Sequence, residues 1–92
     1  MLNHVKIYKE FFDIGDQDYM MCEMCGRRAS DVHHIDIKGM GGSKTKDYIE
    51  NLAALCRRCH NEVHDNPEEN RRLKENHIMR VKILKQMRDE QA

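Results

Sequence analysis

Four cysteines constrain this 92-residue chain more than any other feature. They fall as two identical pairs, Cys22-x-x-Cys25 and Cys56-x-x-Cys59, with 30 residues between the pairs. Two thiolates two residues apart on a tight turn can face one ion, and a second such turn completes a tetrahedral four-sulfur site for Zn²⁺. Every cysteine of the chain is then used. Two disulfides would need an oxidising compartment, and no signal peptide opens the chain. A redox pair of the thioredoxin kind needs only one CxxC. A two-cysteine, two-histidine finger of Cys22, Cys25, His60 and His64 needs a far longer spacer than usual and orphans Cys56 and Cys59. The expected role of the zinc is structural, because a chain this short, with two Phe, three Tyr and no Trp, buries little apolar surface.

The surrounding pattern predicts a single domain over 1–92. A short amphipathic helix is expected over about 3–14, ended by Gly15-Asp16, and a strand over Asp31–Ile37. Gly39 to Ser43 reads as a flexible loop. A short helix is expected from Arg57 to about His64, and a long one over about 68–90, with Pro67 at its start. Leu73, His77, Val81 and Leu84 follow helical spacing on the long one. No apolar run approaches the roughly 20 residues of a membrane span, so a cytoplasmic protein is expected. The net charge is zero, but residues 27–58 carry seven bases against four acids. Charge alone does not make this stretch a polyanion-binding face.

Six histidines add a second signal. His33 and His34 are neighbours on the expected strand, so their side chains point to opposite faces, although a twist at a strand end can bring both near one substrate. His60 and His64 are four apart on a helix and share a face, a spacing that suits two imidazoles on one metal. With the cysteines assigned to zinc, His33, His60 and His64 form a separate constellation with open coordination positions. His4 and His77 read as solvated.

The segments CEMCG, SDVHHIDIKGMGG and ENLAALCRRCHNEVH together resemble the HNH (His-Asn-His) endonucleases, over a motif core of residues 22–64. The resemblance is closest to small stand-alone bacterial and phage proteins of that kind. It implies an α+β fold: a ββα-metal core stapled by a four-cysteine zinc site and flanked by an N-terminal and a long C-terminal helix. It implies a metal-dependent DNA endonuclease, nicking or cutting both strands. His34 resembles the general base. Asn51 resembles the residue that orients that base or supports the site, and its amide oxygen is expected to accept Nδ1–H of His34. His33, His60 and His64 resemble ligands of a catalytic Mg²⁺, Mn²⁺, Ni²⁺ or Zn²⁺. Cys22, Cys25, Cys56 and Cys59 match the zinc knuckle. Lys38, Lys44, Lys46, Arg57 and Arg58 then acquire a purpose as contacts to the DNA backbone. Expected partners are DNA, with the C-terminal helix a candidate homodimer surface, and a larger phage or restriction assembly. The competing reading is a non-catalytic zinc-knuckle adaptor for DNA or protein.

Overall fold

The structure, a computed structural model, describes residues 2–36 and 47–91. Its elements run α1 (Asn3–Phe11), β1 (Asp31–His34), a 3₁₀ turn (Ile49–Asn51), β2 (Leu52–Leu55), α2 (Arg57–Asp65) and α3 (Pro67–Gln91). This is the expected α+β architecture, with a ββα core between two flanking helices. Ile37 and the loop from Gly39 to Ser43 lie outside the described residues.

The helix ends follow local chemistry. α1 stops at Phe11, short of the expected boundary, because Asp13 takes a left-handed conformation with φ 56°. Ile14 N–H then reaches back to the Lys9 carbonyl at 2.8 Å and Asp13 N–H to Glu10 at 3.4 Å, a Schellman closure built on an aspartate in place of glycine. α3 begins where Asn66 Oδ1 accepts from the N–H groups of Glu68 (3.1 Å) and Glu69 (3.4 Å). Pro67 opens this helix, where its missing N–H costs nothing, and the two glutamates sit at the positive end of the helix dipole.

β1 and β2 form an antiparallel pair in the register Asp31↔Leu55, Val32↔Ala54, His33↔Ala53 and His34↔Leu52. β1 is shorter than the expected strand, which ran on to Ile37. All four residues of β2 are buried, so this small sheet is covered on both faces. Val32, Leu52 and Ala54 pack with Tyr8, Met20, Ile49 and Val81 on the α1 side. Ile35, Ala53 and Leu55 pack with Cys22, Cys59, Val63 and Leu73 on the α2 side. The two-residue alternation of a strand thus sorts β2 between two half-cores. Fully burying a residue such as Leu52 or Leu55 contributes roughly 1.5–3 kcal/mol.

α3 straps both halves through Leu73, His77 and Val81, four residues apart and all buried. His77, expected to be solvated, is instead 1% exposed. Its Nε2 lies 2.7 Å from the Ile49 carbonyl, which can only accept, so that nitrogen carries a proton. Its Nδ1 lies 2.8 Å from Glu23 Oε1, and Tyr8 donates its hydroxyl to Glu23 Oε2 at 2.6 Å. Burial, reinforced by the Glu23 charge, pushes the Tyr8 phenol far up, so it stays a donor. One buried carboxylate from the first CxxC turn therefore ties α1 and α3 together. Further along, Arg80 and Arg88 of α3 stack over Phe12 and Phe11 at 4.9 and 4.5 Å. Replacing His77 with alanine leaves Glu23 without its imidazole partner in the interior. His77→Ala is expected to lower stability by about 3 kcal/mol, read as a lower urea midpoint at unchanged slope. An unchanged midpoint would mean that the pair contributes nothing net.

Candidate functional site

The two CxxC turns meet beside the α2 half-core. The sulfur atoms of Cys22, Cys25, Cys56 and Cys59 all lie within 4.8 Å of one another, and Cys25 and Cys56 are 3.7 Å apart. The first turn closes through Gly26 N–H to the Cys22 carbonyl (2.9 Å), with Gly26 at φ +79°, a conformation that favours glycine. The second is a helix start: Cys56 caps α2, its sulfur accepting from Cys59 N–H at 3.5 Å. That N–H, aided by the neighbouring thiols, draws the Cys56 thiol down to about 7, while burial pushes the Cys59 thiol up. Four thiols this close together, with Arg27 and Arg58 beside them, favour a cation that replaces their protons. The four cysteines are thus placed to hold a structural zinc ion, as their spacing predicts.

The histidine pair divides as strand alternation requires. His33 turns to the α2 side, where its ring meets the His60 ring edge-to-face at 4.7 Å. Burial, then the proximity of His60, lowers the His33 pKa below the usual imidazole range, keeping it neutral as a metal ligand must be. His60 Nδ1 and Asp31 Oδ1 are 4.0 Å apart, and both are shielded from solvent without a hydrogen bond among the described residues. Polar atoms stranded in this way fit a divalent ion bound between them. His64 lies one turn further along α2 and is exposed. The donor atoms of His33, His60 and His64 do not gather within 4.8 Å, unlike the sulfurs.

His34 turns to the α1 side. Its Nε2 lies 2.7 Å from Asp47 Oδ1, and its ring centroid lies 4.7 Å from that of His4. Asp47 Oδ2 accepts from the Asn3 amide at 3.2 Å, so the carboxylate bridges α1 to His34. Those bonds hold the Asp47 carboxyl below the usual carboxylate range. His4, read from sequence as solvated, is half-buried against His34.

Asn51 is buried and faces the backbone that follows β1. Its Oδ1 accepts from Asp36 N–H at 2.7 Å and its Nδ2 donates to the Asp36 carbonyl at 3.1 Å. The expected bond from His34 Nδ1–H to Asn51 is not formed; Asp47 partners the histidine instead, through the other ring nitrogen. Asp47 and His4 carried no motif signal, and Asp47 meets His34 from 13 positions away.

Arg57 and Arg58 are exposed at the start of α2, with Arg58 Nε 3.5 Å from Glu62. Lys38, Lys44 and Lys46 lie outside the described residues. Among the described residues, no helix is long and apolar enough to cross a membrane.

Residues 22–66, about half of the chain, match the family described as HNH endonuclease. This segment is an HNH domain. It spans both CxxC turns, the histidine pair, Asn51 and all of α2. A 43-residue stretch is 44% identical to the uncharacterized protein YdfU of Escherichia coli (strain K12). That similarity covers 47% of this chain but only 12% of YdfU. No solved structure matches significantly. The HNH domain accounts for the sulfur site and the β1–α2 histidines together, whereas α1 and α3 lie outside it.

The sulfur cluster gives two expected outcomes. Protein purified without chelator should carry about one tightly held zinc per chain by elemental analysis. Cys22→Ser should lose that zinc and its cooperative thermal transition; a Cys22→Ser protein that melts like wild type would show that the sulfurs do not staple the fold.

Proposed function

We propose that the HNH domain makes this chain a metal-dependent DNA endonuclease that hydrolyses phosphodiester bonds. One observation supports it above the others. Consecutive residues at the end of β1 go to opposite sides, His33 into contact with His60 and His34 into a hydrogen bond with Asp47. Hydrolysis needs these two functions separate: a ligand set for a Lewis acid, and a base that the cation has not consumed.

In this reading Asp47 accepts Nε2–H of His34, which fixes the tautomer and leaves the Nδ1 lone pair for the attacking water. His34 takes the water proton at Nδ1 as the hydroxyl attacks phosphorus. Because His34 is the last residue of β1, the phosphate can lie across the strand end, between base and ligand set. His33 and His60, with His64 one turn further along α2, would hold one divalent ion, which would supply Lewis-acid charge to the phosphate. Asn51 keeps its grip on Asp36 and so holds the backbone beyond the base in place. Arg57 and Arg58, with Lys38, Lys44 and Lys46, would contact phosphates, giving affinity that falls with salt.

Relaxation of supercoiled plasmid tests this directly. Wild type should nick or cut with Mg²⁺ or Mn²⁺ added. His34→Ala should fold, keep its sulfur-bound zinc and lose about 10²–10⁴-fold in rate. His60→Ala should require more divalent ion without unfolding. If His34→Ala cuts as fast as wild type, the base is assigned wrongly. If the folded wild type cuts no DNA with either ion, the adaptor reading replaces the enzyme.

A further inference from the structure

Outside the sulfur cluster, only one other group among the described residues brings three potential ligand atoms within 4.8 Å of one another: His4, His34 and Asp47. It lies on the α1 side of the sheet, away from His33 and His60, and one of its members comes from a helix outside the HNH segment. We propose that His4, His34 and Asp47 form a further transition-metal site, at which a zinc-like ion switches the general base off.

Several contacts build this site in advance. Asp47 is clamped from both ends, Oδ1 by His34 and Oδ2 by the Asn3 amide. The His4 and His34 rings lie 4.7 Å apart, so an ion needs little side-chain movement to reach both. The His34 and Asp47 side chains remain 31% and 24% exposed, which leaves solvent a way in. Two imidazoles and one carboxylate suit Zn²⁺, and Ni²⁺ or Cu²⁺ among its neighbours, whereas Mg²⁺ prefers oxygen and water.

The chemical consequence follows from the imidazole itself. A neutral ring has one lone pair and one N–H. When Nε2 binds an ion, the proton it shared with Asp47 moves to Nδ1, with no net change in protons. The ring then has no lone pair to offer water, and the base is silent. Mg²⁺ leaves the His34–Asp47 hydrogen bond intact and the base competent. Free zinc would therefore inhibit hydrolysis that Mg²⁺ supports, while the sulfur-bound zinc remains necessary for the fold. The inhibition rests on the reading of His34 as the base; the binding of the ion does not.

The test uses the full chain with its sulfur site loaded. Zn²⁺ is titrated in, bound ions are counted after equilibrium dialysis, and histidine side-chain ¹H–¹⁵N spectra are recorded. Wild type should bind one weakly held zinc more than His4→Ala, and the His4 and His34 resonances should shift together. Asp47→Asn, a nearly isosteric change away from any helix, should lose the same ion. In plasmid relaxation with Mg²⁺, His4→Ala should need about tenfold or more zinc than wild type for half-inhibition. Equal ion counts in wild type and both variants, or zinc inhibition unchanged by His4→Ala, would overturn the proposal. A lost ion in a protein that nicks nothing would support the site and remove the endonuclease reading.

Discussion

Four sulfur atoms converging on one point join parts of the chain that nothing else brings together so firmly. The turn before β1 and the start of α2 are far apart in sequence, and each offers only two thiolates. An ion held by all four fixes the turn, the end of β2 and the first residues of α2 as one rigid corner. Cys56 is both one of the four converging sulfurs and the cap of α2, so an ion held there would also anchor the helix start. Glu23 extends the corner inward, carrying its restraint to α1 through Tyr8 and to α3 through His77. The small hydrophobic halves on either side of β2 are then enough.

The same corner sets the chemistry. β1 pairs with β2 in a single register, and a slip of one residue would exchange the surroundings of His33 and His34. In the register observed, one imidazole is desolvated beside His60 and the other is hydrogen-bonded to a carboxylate near α1. The HNH segment supplies the strand, the turn and α2, but α1 and α3 are more than padding. α1 contributes Asn3 and His4 to the surroundings of His34, and α3 supplies the Asn70 amide that bonds the Ile35 carbonyl just beyond β1.

Much of this was legible in the residues. The cysteine spacing, the run from Pro67 with its four-residue apolar rhythm, and the opposed faces of His33 and His34 all follow from periodicity and turn chemistry. The short helix expected from Arg57 to about His64 is α2. What could not be read was longer-range. His77 looks like any helix histidine, and only the fold brings it to Glu23, 54 positions away. Asp47 carries no local motif, and its partner His34 is 13 positions away. The end of α1 was misplaced because Asp13, not Gly15, takes the left-handed conformation, and composition favours the glycine. His4 was missed because a histidine in a first helical turn carries no signal of its neighbour across the fold.

X-ray absorption at the zinc K-edge of the purified protein tests the central claim most directly. Four sulfur neighbours at about 2.3 Å, with no imidazole scattering from the tightly held ion, is the expected shell. A mixed sulfur and nitrogen shell would mean that a histidine has displaced a cysteine, and the separation of scaffold from chemistry would then fail.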